Sequence, residues 1–322
     1  MTPWKYSDDY YREYTRTTWN EAAGKYTKLL RNLEPYGFDL LARVDPKIRE
    51  RCLDIATGPG EPAMSLARMV GADGPVTGID LSEEMVQLAT RLAKERRIPN
   101  VEFRVMDAEK MDFPDESLDL AVSRFGFQIF TNPEVVAREA HRVLGPKGRI
   151  GVTVWSTAEK ATAINAVVGP MLEFAEPDET GYLPTPFELG GPGEMAKLFE
   201  GAGFHETKEE RKTHTMTFQD EDDYFHGFVD GTPLGHSIRE EDPAVQKKIL
   251  ARTRENLRPW KTRKRIEIPC ESVIVTARKS PSRSPGDVCQ RGAFGLTKPL
   301  SGNRWLAPAT PTPLARIRKR LS

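Results

Sequence analysis

The sequence predicts an α/β fold: a doubly wound, mostly parallel seven-stranded sheet with helices on both faces, preceded by an N-terminal helical segment and interrupted by helical insertions. Three observations carry that prediction. Between residues 51 and 155, short apolar runs alternate with amphipathic helical patterns. The connections between them are short, as in chained strand–helix–strand units. The first strand runs into a glycine-containing loop, Thr57-Gly58-Pro59-Gly60, at the position where such sheets open a ligand crevice.

Taken in order, residues 7–33 set Tyr10, Tyr11, Tyr14, Trp19, Tyr26 and Leu30 among charges, which predicts two short helices. A turn is expected at Pro35-Tyr36-Gly37, then a short helix to about Val44. CLDIA (52–56) is a compact apolar run, the pattern of a buried strand. Pro62 suits the first helical position, where a missing N–H costs nothing, and Ala63, Leu66, Ala67 and Val70 follow at helical spacing up to Gly71. PVTGID (75–80) is the second strand. Ser82 is a good N-cap, with Glu83 and Glu84 in the positive first turn and Met85, Leu88, Ala89 and Leu92 on one apolar face. VEFRV (101–105) and LDLAVS (118–123) are the third and fourth strands. Asn132-Pro133 opens a helix with Val136, Ala140, Val143 and Leu144 inside, Gly145 stops it, and RIGVTVW (149–155) is the fifth strand. Two more strands are expected, a long exposed one from about Glu206 to Phe218 and an alternating one over 270–279.

This gives a segment 1–45, a main domain 46–279 with helical insertions near 158–200 and 219–263, and a tail 280–322. The tail is rich in Pro, Ser, Gly and Thr and carries eight basic residues against one acid, Asp287, so its composition predicts no packed structure. Without it the chain holds 39 basic and 46 acidic residues.

Across all 322 residues, 47 basic side chains balance 47 acidic ones, so no general field draws the protein to nucleic acid. No apolar run approaches the roughly 18 residues of a membrane span. The N-terminus lacks the basic-then-apolar pattern of a secretory signal. Cys52, Cys270 and Cys289 are far apart, and neither they nor the five histidines show metal-ligand spacing. A cytoplasmic protein with a small-molecule ligand and no metal is expected.

Gly58 and Gly60 allow a sharp turn and a close ligand approach, and the helix that follows presents free N–H groups. Two ligands fit this loop. A dinucleotide fits because Gly58-x-Gly60-x-x-Ala63 matches a loosened fingerprint, with Asp80 twenty residues beyond Gly60. S-adenosylmethionine fits because its ribose also wants an acid at the second strand end. Asp54 favours the second, since an acid in the loop approach suits a cationic ammonium and repels a pyrophosphate. Asp107-Ala108, after the third strand, is placed to accept from an adenine amino group. Ser123-Arg124-Phe125-Gly126-Phe127 then brings aromatic surface to the same edge.

These residues carry a resemblance. D-x-A-T-G-P-G (54–60), G-I-D-L-S-E-E-M (78–85), D-A-E-x-x-x-F-P-D-x-S-L-D (107–119) and R-V-L-G-P-K-G-R (142–149) together resemble class I S-adenosylmethionine-dependent methyltransferases of the small-molecule type. The chain is similar to the ubiquinone/menaquinone-biosynthesis C-methyltransferases. The resemblance implies that Ala56, Gly58 and Gly60 line the methionine portion, Asp80 with Leu81 the ribose, and Asp107 and Ala108 the adenine. Ser123 and Arg124 would face the methionine end or the acceptor. Ala56 stands where a first glycine is common, and Pro59 where the quinone enzymes often have threonine.

Motifs of this kind find the cofactor site, not the acceptor site. Trp19 and Tyr26 are candidates for a lid, Phe125 and Phe127 for the acceptor wall, and His226 and His236 for a general base. The apolar, aromatic character of these segments suggests a small, partly apolar acceptor. A dinucleotide-dependent oxidoreductase and a catalytically silent cofactor-binding relative are the alternatives.

Overall fold

A computed structural model describes residues 8–175 and 186–280. The basic segment from 281 onward and the Pro/Gly-rich run 176–185 lie outside the described residues. Among the described residues no helix is long and apolar enough to cross a membrane.

Seven strands form one sheet: β1 (Cys52–Ile55), β2 (Val76–Asp80), β3 (Val101–Val105), β4 (Leu118–Arg124), β5 (Leu144–Trp155), β6 (His205–Phe218) and β7 (Ile266–Arg278), in the spatial order β3-β2-β1-β4-β5-β7-β6. β3, β2, β1, β4 and β5 are mutually parallel, and β7 runs antiparallel to both β5 and β6. The strand order reverses between β1 and β4, the point at which such sheets open a crevice. In register, Ile55 pairs with Ile79 and Asp80 with Val105, so the carboxyl ends of β1, β2 and β3 lie side by side.

Ten helices complete the described chain: α1 (Asp8–Tyr26), α2 (Leu30–Val44), α3 (Ala63–Val70), α4 (Glu83–Glu95), α5 (Pro133–Val143), α6 (Thr162–Phe174), α7 (Glu194–Gly201), α8 (Glu221–Tyr224), α9 (Pro233–Glu240) and α10 (Pro243–Leu257). Apolar side chains of α2, α3 and α4 bury one face of the sheet with Cys52, Val76, Leu120 and Val122. Those of α5 and α7 bury the other with Leu53, Ile79, Ala121 and Val152. A third apolar cluster joins α6, α9 and α10 to Leu33 and Tyr36 of α2 and to the far ends of β6 and β7. Strand alternation sends adjacent residues to opposite faces, so Leu53 faces α5 while Asp54 turns toward α3.

The turn expected at Pro35-Tyr36-Gly37 lies inside α2 instead. Tyr36 is fully buried and donates its hydroxyl to the Cys270 carbonyl at 2.8 Å, and Leu33, Leu40, Leu41 and Val44 bury the same helical face. That packing outweighs the hydrogen bond removed by Pro35. Pro62, expected at the first helical position, is the N-cap of α3. Ser82 caps α4 as expected, its hydroxyl accepting from the Met85 amide at 3.1 Å. Asn132 occupies the cap position of α5, but its side chain donates to Glu109.

Candidate active site

The loop after β1 turns through three positive φ angles, at Ala56 (57°), Gly58 (54°) and Gly60 (95°). A Cβ on Gly60 would stand 2.9 Å from the tip of the Phe103 ring and 3.0 Å from the Met64 methyl, so this position takes a side chain only if those neighbours shift and the positive φ is strained. One carboxylate fixes the loop. Asp80 accepts from the Gly58 amide at 2.8 Å and from the Ser82 amide at 3.0 Å, tying the glycine turn to the start of α4. Burial pushes the Asp80 pKa up, against the opposing pull of the Ser82, Gly58 and Leu81 amides. Three amides on four lone pairs leave one free to accept a ligand hydroxyl. Leu81 beside it is half-buried.

Asp54 is the most confined acid of the site, with no exposed surface. Its Oδ2 accepts from the Thr57 hydroxyl at 2.7 Å and the Ala63 amide at 3.0 Å. Its Oδ1 is buried with no hydrogen-bond partner. Burial raises its pKa to about 7, moderated by Thr57, Arg124 and Ala63. An orphaned carboxylate oxygen beside an open-backbone glycine turn fits a ligand that carries a donor, above all a cationic one.

Arg124, at the end of β4, is 6% exposed. It donates to the Leu33 carbonyl at 3.3 Å and to the Tyr26 hydroxyl, while its Nε has no partner. Tyr26 closes the glycine loop from above: its ring stands 4.0 Å from the point a Gly58 Cβ would reach. Burial raises the Tyr26 pKa, an effect moderated by Arg124, so the phenol is neutral. Trp19 packs edge-to-face on Tyr26 at 5.6 Å. Phe125, at φ 64°, stacks on Trp155 at 3.7 Å and meets the edge of Tyr36. Ser123 gives its hydroxyl to the Ile55 carbonyl at 2.8 Å and thereby joins β4 to β1 rather than facing a ligand. Phe127 is core, 1% exposed between Phe130 and Phe199, because the turn at Gly126 rotates it under α7.

α1 crosses this edge with Arg12, Arg16 and Asn20 at four-residue spacing on one face. Arg12 bridges Asp107 (3.1 Å) and Glu109 (2.7 Å). Arg16 pairs with Glu83 at 2.9 Å, and Asn20 accepts from the Ser82 hydroxyl at 2.6 Å. Asp107 also accepts from the Glu109 amide at 2.8 Å, which fixes the turn that buries Ala108. Beside it a cavity of about 440 Å³ opens, lined by Arg12, Asp107, Glu109, Lys110, Asn132 and Val135. The structure thus gathers Asp54, Ala56, Gly58, Gly60, Asp80 and Asp107 along the carboxyl edge of β1, β2 and β3, with α1 packed against that edge. His226 and His236 are engaged elsewhere. His226 is exposed and faces Asp230 at 3.6 Å. His236 sits between Glu21 (2.9 Å) and Glu240 (3.2 Å), its ring against Tyr14.

Sequence reasoning missed Arg12, Arg16, Asn20 and Glu109. The only local signal was the spacing of four on α1, which reads equally as a solvated face.

Comparison with known proteins agrees with this geometry. The family model of the methyltransferase domain matches residues 52–148. The nocamycin O-methyltransferase of Saccharothrix syringae is 30% identical over 185 residues, 54% of this chain and 66% of that one. A demethylmenaquinone methyltransferase of Geobacillus kaustophilus is 28% identical over 179 residues, 52% of this chain and 75% of that one. Among solved structures, the YcgJ protein of Bacillus subtilis superposes with a TM-score of 0.55 at 18% identity, covering 76% of this chain and 97% of that one. Sheet order, glycine turn and family match define a class I methyltransferase, an enzyme class that takes its methyl group from S-adenosyl-L-methionine. Within that class the chain is of the small-molecule type, similar to the menaquinone and ubiquinone C-methyltransferases. A dinucleotide-dependent oxidoreductase gains no support.

Proposed function

We propose that this chain methylates a small, partly apolar acceptor, with S-adenosylmethionine held along the ends of β1, β2 and β3 under α1. The observation that carries this reading is the convergence of Asp54, Gly58, Asp80 and Asp107 on one edge, with Asp54 Oδ1 left unpartnered. In this arrangement the Gly58 and Gly60 backbone lines the methionine portion. Asp80 takes a ribose hydroxyl on its free lone pair. Asp107 and the Ala108 backbone hold the adenine at the 440 Å³ opening.

The bound cofactor supplies a sulfonium methyl whose displacement releases a neutral thioether. The chain must align the acceptor with that methyl and exclude water. Tyr26 and Trp19 supply the cover above the glycine turn. Phe125 stacks on Trp155 and Tyr36 meets both edge-on; this buried aromatic cluster, beside Arg124, would suit a flat, partly apolar acceptor if opened toward the methyl. No side-chain base is assigned, because His226 and His236 are each paired with carboxylates, Asp230 for the first and Glu21 and Glu240 for the second. An acceptor ionised at neutral pH, such as an acidic phenol or a hydroquinone, needs none.

Equilibrium binding of S-adenosylhomocysteine, together with methyl release from labelled cofactor over a panel of phenols, quinones and amines, tests the reading. Micromolar binding and turnover on one class are expected. Binding of a nicotinamide dinucleotide in place of S-adenosylhomocysteine would overturn it.

A further inference from the structure

A cation of the chain and a group of the cofactor claim the same carboxylate. Asp107 is the acid that the cofactor reading gives to the adenine amino group. Its Oδ1 accepts from the Glu109 amide at 2.8 Å, so Oδ2 is the less committed oxygen. Arg12 stands at Oδ2, its Nε 3.1 Å away. Arg12 and Asp107 also line the same cavity of about 440 Å³, so an adenine edge reaching Oδ2 enters the space that the guanidinium borders.

The guanidinium has a second seat. Its Nη2 donates to Glu109 Oε2 at 2.7 Å. The Glu109 side chain is 8% exposed against 33% for Asp107, so water and salt screen its attraction for Arg12 less. The other partners of Glu109 among the described residues are neutral, the Asn132 amide at 3.1 Å and the Asn132 side-chain nitrogen at 3.0 Å. A nearly buried carboxylate left with neutral donors alone is costly. Glu109 is therefore the stronger holder of the cation, and Asp107 the one that can give it up. Nη1 reaches Asp9 at 2.9 Å, but that carboxylate is 91% exposed and holds weakly.

We propose that Arg12 is a specificity-determining residue for the cofactor: in the ligand-free protein it spans Asp107 and Glu109, and it yields Asp107 to the adenine amino group while keeping Glu109. The proposal rests on the cofactor reading above and adds to it a competitor carried by the chain itself. Association then waits on the guanidinium leaving Oδ2, since a site open for part of the time binds with its intrinsic strength reduced by that fraction. A base with an amino group at this point takes the vacated acceptor. A base with a carbonyl oxygen there sets acceptor against acceptor at Asp107 and gains only from Arg12.

The test uses S-adenosylhomocysteine and S-inosylhomocysteine, which differ in that amino group and carbonyl oxygen. Association rates are read by stopped-flow tryptophan fluorescence, Trp19 lying on α1. Dissociation constants are measured by calorimetry, on wild type, Arg12→Ala and Glu109→Gln, with a thermal melt of each. Arg12→Ala should bind S-adenosylhomocysteine about two- to fivefold faster, the range that a partly exposed ion pair can impose. Glu109→Gln leaves the guanidinium to Asp107 and Asp9, and should slow association by a similar factor. Arg12→Ala should also widen the preference for the adenosyl over the inosyl ligand by about threefold or more, because the carbonyl loses its donor. Shifts of the same sign in both variants would show that Arg12 and Glu109 only brace α1, and would overturn the proposal. So would unchanged rates, or an unchanged preference. If Glu109→Gln does not melt cooperatively, or fluorescence does not follow binding, the ligand preference of Arg12→Ala decides. A wild type that does not bind S-adenosylhomocysteine removes the cofactor reading, and this proposal with it; binding that neither variant alters removes this proposal alone.

Discussion

If Asp54 meets the cofactor's ammonium, as its unpartnered oxygen suits it to do, the cofactor's affinity becomes a function of pH. Its carboxyl is fully buried, and burial raises its pKa from 3.8 to about 7. In the ligand-free protein the group is therefore about half ionised at neutral pH. An ammonium brought to Oδ1 needs the ionised form, so binding and ionisation are linked. Below pH 7 the ionised fraction falls by nearly tenfold per pH unit. Between pH 8 and pH 6 it drops from about nine tenths to about one tenth, a loss of about tenfold in affinity or about 1.4 kcal/mol. Calorimetry of S-adenosylhomocysteine across this range, in buffers of differing ionisation enthalpy, should show weaker binding at pH 6 and proton release on binding near pH 7. Asp54→Asn should flatten the profile. Stability of the ligand-free protein moves the other way. A carboxyl whose folded pKa is raised is tolerated while protonated, so its penalty grows as pH climbs from about 4 through about 7. The ligand-free protein should lose about 1 kcal/mol between pH 6 and pH 8, and Asp54→Asn should not. A flat binding profile in wild type, or the same slope in Asp54→Asn, would refute the reasoning.

Three further substitutions probe the rest of the site. Asp80→Ala removes the acceptor for the Gly58 and Ser82 amides, so it should cost about 1–3 kcal/mol in a denaturant melt and abolish S-adenosylhomocysteine binding; unchanged stability would show that the carboxylate serves the ligand alone. Gly60→Ala places a methyl 2.9 Å from Phe103 at a φ of 95°, and a loss of about 1–3 kcal/mol is expected in the same melt. Arg12→Ala should change stability by less than about 1 kcal/mol, because the Arg12 ion pairs are partly exposed, yet it should raise amide exchange along α1 and quicken ligand release. Unaltered exchange in α1 would show that Arg12 is not what holds that helix over the crevice.

The sheet was legible because its signals are local. Each parallel strand is an apolar run of four to seven residues closed by a turn, and Ser82 announces α4 by cap chemistry that needs no partner from elsewhere in the chain. Pro35 misled for the complementary reason. The local rule says break, but Tyr36 buries its ring and reaches Cys270, 234 positions along the chain. The glycine turn and the acids at successive strand ends were legible for the same reason as the strands, since they are short patterns. What could not be read is who else claims those acids. That Asp80 holds Gly58, and that Arg12 holds Asp107, are facts of register and of helix placement. His226 and His236 stood out only as neutral-pH titrators, and the carboxylates each one pairs with, Asp230 and Glu21, are partners that spacing could not show.

The placement of α1 explains why one helix bears on both halves of the reaction. On one side Arg12, Arg16 and Asn20 attach it to Asp107, Glu83 and Ser82, the acids and cap that border the cofactor edge. On the other, Tyr14 and Glu21 attach it to Ser237 and His236 of α9, in the layer of inserted helices. Tyr26, near its end, lies over Gly58 and on Arg124. If the cofactor occupies this edge as proposed, its entry from solvent would displace the α1 contacts to Asp107, to Ser82 and Glu83, and to Arg124 together, because all three are held from a single rigid rod. Closing the rod over the ligand restores them together as well. Through Tyr14 and Glu21 the same helix would pass such a displacement on to α9 without any change in the sheet.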